Sequence, residues 1–155
     1  MTISGADSGN YTLTQPVAMA SITAWYLTGF YQPVGIPNSF HTPPTGTLPI
    51  SGILNTIKGG QTVPLKFEIF EAVGGTERTS VSAVLSFTLT PVACDGSSSE
   101  DPVDFTTTGG TSLRYDGVEG QFIQNWQSPK GPGKCYRATM TAADGSSISA
   151  FFKTK

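Results

Sequence analysis

Apolar and polar residues alternate at every second position through much of this chain. Val63, Leu65, Phe67 and Ile69 alternate with Thr62, Pro64, Lys66 and Glu68, the period of two expected of a strand with one buried face. Leu85, Phe87 and Leu89 repeat the pattern against Ser86, Thr88 and Thr90, predicting a second such strand with the three apolar residues on one face. Near the C-terminus, Asp144 and Gly145 separate Tyr136–Ala142 from Ser147–Lys153, which predicts a tight hairpin with Ile148, Ala150 and Phe152 sharing a face. Another hairpin is predicted from Leu113–Tyr115 and Phe122–Trp126, joined through Asp116, Gly117 and Gly120. Phe122 and Trp126 would fall on one side of it, with Gln124 between them. No segment sustains a helical period, so the chain reads as all-β.

Two stretches interrupt this regularity. From Pro33 to Pro49 the chain carries Pro33, Pro37, Pro43, Pro44 and Pro49 around Phe40 and His41, too many prolines for a central strand and therefore a long surface loop. From Asp95 to Asp104 it carries Ser97, Ser98, Ser99, Glu100 and Asp101, the composition of a solvated connection. Many short strands with such connections predict a two-sheet, immunoglobulin-like β-sandwich.

Composition narrows the function. The 155 residues suffice for one core, or for a small domain with an appendage. A net charge of −2 gives no basic field to hold a phosphate backbone, which argues against nucleic acid. No apolar run reaches membrane-spanning length, and Met1–Asn10 has neither the basic region nor the apolar core of an export signal. Yet only 13% of residues are charged and Ser, Thr and Gly abound, a composition of extracellular character. The expectation is a secreted or surface segment of a longer precursor whose signal lies outside it.

Cys94 and Cys135 fit that setting. Two cysteines cannot complete a four-ligand site, and the single histidine, His41, lies far away in sequence, so neither a metal nor a cofactor is expected. If they pair, they close a loop spanning 41 positions, stabilising the fold by roughly 4 kcal/mol at most in the chain-entropy model. The competing reading is two buried free thiols of a cytosolic protein. Compartment decides between them, and the composition favours the disulfide.

The run Leu54-Asn55-Thr56-Ile57-Lys58-Gly59-Gly60 leading into Val63-Pro64-Leu65-Lys66-Phe67 resembles the bacterial domain family named PxKF after Pro64, Lys66 and Phe67. The similarity continues through Thr28–Val34 upstream, and downstream through Pro91–Asp95, Leu113–Asp116, the strand holding Trp126, Cys135, Asp144 with Gly145, and Phe151–Lys153. It covers roughly the last four-fifths of the chain, departs in the expanded proline-rich loop, and is specific through the order of its motifs. The resemblance implies a domain placed late in secreted or surface bacterial proteins, with no catalytic activity attached. Ser4–Leu13 and Ala20–Thr23 resemble instead the closing strands of repeats in large bacterial adhesins. The expected organisation is therefore 1–23 as the tail of a preceding repeat and 24–155 as the PxKF-like sandwich.

Lys66 is the residue with the most unusual chemistry within reach. Surface adhesin domains join a strand lysine to an Asn or Asp side chain, which requires a buried, deprotonated amine. Lys66 alternates with Leu65 and Phe67, however, and so should leave the core face and pair with Glu68 or another surface carboxylate. Glu100, Asp101 and Asp104 lack the rigid cleft that separates the pKa values of catalytic carboxylates, and their spacing lacks the ligand order of a calcium loop. A Ser-His-acid triad would have to recruit His41, and no nucleophile elbow, phosphate loop or dinucleotide fingerprint occurs, so no enzyme is expected.

Three functional readings remain. The first is a non-catalytic structural or adhesive module of a secreted or cell-surface bacterial protein, a stalk, terminal cap or interaction domain partnered by other domains of its parent. In the second, exposed aromatics among Trp25, Tyr26, Tyr31 and Trp126 stack on surface glycans, weighed against their filling the core together with Phe30 and Phe40. In the third, Asn10, Tyr11, Thr12 and Leu13 form a strand that adds to a sheet edge of its own or a neighbouring copy.

Overall fold

Eight strands form among the residues described by the computed structural model, namely 5–6, 24–35, 54–95, 98–108 and 111–155. They are β1 (Tyr26–Gly29), β2 (Leu54–Ile57), β3 (Thr62–Phe70), β4 (Val84–Val92), β5 (Arg114–Asp116), β6 (Gln121–Gln127), β7 (Cys135–Ala142) and β8 (Ser147–Thr154), with one 3-10 turn at Val81–Ala83. Sheet A has the order β1-β3-β6-β5 and sheet B the order β2-β8-β7-β4. Every pairing is antiparallel except β2 with β8, which is parallel. The all-β expectation, the two hairpins and the shared face of Ile148, Ala150 and Phe152 are all observed. Asn10–Leu13, Phe40, His41 and the rest of the proline-rich loop beyond Gly35 lie outside the described residues.

The core joins unlike faces. Sheet A contributes Val63, Leu65, Phe67 and Ile69 from β3 and Phe122 and Trp126 from β6, whereas β7 and β8 contribute the small Ala138, Ala142 and Ala150 beside Met140, Ile148 and Phe152. Large rings from one sheet thus meet shallow positions on the other, which lets two flat layers interdigitate at native density. Phe67 stacks on Phe122 at 5.3 Å between centroids, and Trp126 lies against Phe152 at 4.8 Å. Phe105, from the connection between sheets, stacks on both Phe87 and Trp126.

β4 departs from simple alternation. The ladder to β7 shifts between Val84 and Ser86, leaving Leu85 as an extra residue that is 67% exposed. A bulge turns one side chain out of phase, so Leu85 does not share the inward face of Phe87 and Leu89.

The cysteines do pair, with sulfurs 2.04 Å apart. Their strands are distant in sequence but adjacent in space, because Val92 at the end of β4 stands opposite Cys135 at the start of β7. Alternation puts Val92 and Cys135 on the outer face of sheet B, and neither belongs to the inter-sheet core. The disulfide is a staple across one sheet's surface.

Prolines within strands follow the sheet edges. Pro91 carbonyl oxygen accepts from Glu100 N–H at 3.0 Å on the side of β4 away from β7, so the missing proline N–H also faces that edge. Lys66 carbonyl oxygen accepts from Tyr31 N–H at 2.8 Å on the β1 side of β3, and Pro64, two residues earlier, faces the same way where β1 has no paired residue. The described residues of the acidic connection, 95 and 98–104, are exposed as expected, but they also run beside β4, pairing Ser99 with Val92 and Val103 with Leu89. They screen the edge that Pro91 leaves short of a donor.

Candidate functional site

The residues singled out from the sequence divide between core and surface. Trp126 is 0% exposed and packed between Phe105 and Phe152, so it presents no face to a ligand. This corrects its assignment as a stacking residue: Phe122 and Trp126 share the inward face of β6, and a strand that buries the first buries the second. Phe67 of the Pro-x-Lys-Phe motif is likewise buried, stacked on Phe122. Pro64 and Lys66 occupy the outer face of sheet A, opposite Asn125 and Ile123 respectively. Lys66 is half-buried there, flanking Ile123, whose other neighbour in register is Arg114. The apolar enclosure that an amide-forming lysine needs is absent from such a position.

Three aromatics remain near the surface around β1. Trp25 precedes the strand and carries the Arg78 guanidinium over its ring at 4.7 Å, a cation–π contact that occupies one face. Tyr26 stands opposite Phe70, with ring centroids 6.2 Å apart. Tyr31 follows β1 and returns over it: its hydroxyl meets both Thr28 Oγ1, at 2.6 Å, and Glu68 Oε2. Thr28 Oγ1 also donates to Glu68 Oε2 at 2.9 Å. The β1–β3 register, Thr28 opposite Glu68, brings these three side chains together on the outer face of sheet A.

Glu68 therefore spends its carboxylate on two hydroxyls, not on Lys66 as expected. Among the described residues the ion pair is Arg78 with Glu71, at 3.0 Å. Partial burial, reinforced by the hydrogen bond to Glu68, pushes the Tyr31 phenol up to about 12. Burial and a 2.9 Å hydrogen bond from Tyr115 Oη to Glu77 Oε1 raise Tyr115 as well.

Close approach of β1 to β3 depends on Gly29. Its φ is +113°, and a Cβ there would stand 2.7 Å from Lys66 O and 2.9 Å from Phe67 Cα. Only a residue without a side chain lets the chain turn here and lay Tyr31 over Glu68.

A cleft of about 220 Å³ is lined by Val34, Asn55, Ile57 and Phe152 among others. Asn55 holds this region by using its amide as a backbone substitute. Its Oδ1 accepts from Gly35 N–H at 2.8 Å, and its Nδ2 donates to Gly35 O at 2.9 Å and Phe151 O at 3.0 Å. The volume is below the usual range of small-molecule sites, and the Asn55 amide at its wall is already satisfied.

Tyr31 with Glu68 and Thr28 is thus the best-defined surface constellation. Glu68 sits at an outward position of an evident strand, so its orientation was readable. Its partners were not, because the 40-residue separation from Thr28 is set by sheet pairing. Comparison with models of known families, with curated proteins and with solved structures returned no match.

Proposed function

We propose that the chain is a non-catalytic structural or adhesive module of a secreted or cell-surface protein, built on an immunoglobulin-like sandwich. The observation that carries this reading is a disulfide stapling two neighbouring strands of a two-layer sandwich, since such bonds persist in oxidising compartments. The strand orders support the immunoglobulin-like part. That fold sets strands A, B, E and D in one sheet and C, F and G in the other; here β1-β3-β6-β5 and β4-β7-β8 stand in the same succession, with β2 added beside β8. In antibody domains the disulfide bridges the two sheets, whereas this one joins two neighbours within a sheet. The PxKF resemblance points to the same class of module. Its motif has a physical reading in this fold: an edge-facing Pro64, an outward Lys66 and a core Phe67.

A load-carrying module can be tested by pulling. In single-molecule force spectroscopy of a tandem array, the disulfide should keep the 41-position loop from extending, hiding roughly 140 Å of contour length per unit. Adding reductant should release that length. Equal extension with and without reductant would remove the covalent basis of the reading.

A further inference from the structure

We propose that Tyr31 is a stacking platform for a pyranose ring, with Glu68 beside it to accept hydrogen bonds from the sugar's hydroxyls. The inference deepens the adhesive side of the reading above and rests on it. Tyr31 is anchored at both ends: its N–H donates to Lys66 O at 2.8 Å, while its hydroxyl is held by Thr28 and Glu68. Lys66 and Glu68 are two residues apart on β3, about 6.7 Å along the strand, close to the reach of a tyrosine side chain. The side chain therefore runs along the outer face of sheet A between these two anchors, and the residue remains 36% exposed. Three attachments fix the ring, so a ligand meets a surface already ordered and loses little rotamer freedom from it.

The surroundings favour a saccharide as occupant. A pyranose offers a C–H face to the ring and a rim of hydroxyls. The hydrogen bonds from Thr28 and Tyr31 to Glu68 both enter through Oε2, and carboxylate oxygens accept several donors each. Lys66, the next outward position along β3, adds an ammonium donor for ring or glycosidic oxygens. An aromatic face with an acceptor and a donor at its border is the chemistry by which proteins hold neutral or amino sugars in water.

The test is a glycan array followed by NMR titration of the oxidised protein with the oligosaccharides that register. The expected result is binding whose amide shifts centre on Thr28, Tyr31 and Glu68. Tyr31→Ala should weaken it roughly tenfold, the scale of one aromatic contact, whereas Tyr31→Phe, which keeps the ring, should stay within about threefold. Glu68→Gln, an isosteric change outside the core, should weaken binding independently. Shifts that centre elsewhere, binding undiminished in Tyr31→Ala of unchanged thermal midpoint, or Tyr31→Phe as damaging as Tyr31→Ala would each overturn the proposal. So would a protein that binds no glycan; if its disulfide still locks the loop under force, the structural reading stands and only this site falls.

Discussion

The two ends of the sandwich are closed by different chemistry. At one end Cys94–Cys135 joins the turn after β4 to the first residue of β7. At the other, past the end of β7, Asp144 Oδ2 accepts from Trp25 N–H at 2.6 Å, and its Oδ1 accepts from Ser146 N–H and Ser146 Oγ–H. Arg78 adds to that end by capping Trp25 and pairing with Glu71. The covalent clasp restricts the unfolded chain and answers to reductant. The polar clasp exists only in the folded state and answers to pH. One end is therefore insulated from acidity and the other from redox chemistry.

The largest effect should follow from opening the covalent end. Reduction, or Cys94→Ala with Cys135→Ala, should cost up to about 4 kcal/mol and lower the thermal midpoint by roughly 8–16 °C. An unchanged midpoint would erase one half of the contrast. Between the ends, Gly29→Ala should cost about 1–3 kcal/mol, because the new Cβ meets the backbone of Lys66 and Phe67 at a positive φ. Chemical denaturation would register it, and a neutral result would mean that β1 can shift away from β3.

At the polar end, Asp144→Ala should cost about 1–2 kcal/mol at neutral pH by stranding Trp25 N–H. Burial alone would raise the Asp144 carboxyl, but hydrogen bonds from Ser146 Oγ, Trp25 N–H and Ser146 N–H outweigh it and hold the group below its ordinary value. A depressed folded pKa contributes stability above the unfolded value, about 3.9, and loses it as pH falls through the folded one. The gap between wild type and variant should begin to close below roughly pH 4 and vanish only below the depressed folded value, in oxidised and reduced protein alike. The two clasps lie at opposite ends of β7, so their losses should add within about 0.5 kcal/mol. A larger coupling in a double-mutant cycle would show that they are one unit.

The smallest effect lies in alkali. The raised Tyr31 phenol contributes stability below the unfolded value near 10 and loses it as pH climbs toward about 12. Tyr31→Phe should flatten the alkaline limb of the stability profile and lower its neutral value by at most about 1 kcal/mol, the scale of one hydrogen bond. Tyr115 and Tyr136, also raised by burial, leave some slope behind.

The sequence revealed period and punctuation more fully than partnership. The β3 strand was legible because nine residues alternate without interruption, and the β7–β8 hairpin because Asp144–Gly145 marks its turn. Leu85 was misassigned because a bulge leaves the apolar pattern intact while rotating one residue out of it. Trp126 could have been read as core from its parity with Phe122. Glu68 with Tyr31, and Asp144 with Trp25, were beyond reach because they depend on which strands become neighbours. The cysteine pair was legible as a bond but not as a bond between adjacent strands.

Pro91 carries a further consequence. Modules strung on one chain meet their neighbours at millimolar effective concentration, where an unguarded nine-residue strand such as β4 would fuse with its twin during synthesis. By withholding a donor near its C-terminal end and lying beneath an acidic strip, β4 makes strand exchange with another copy unfavourable.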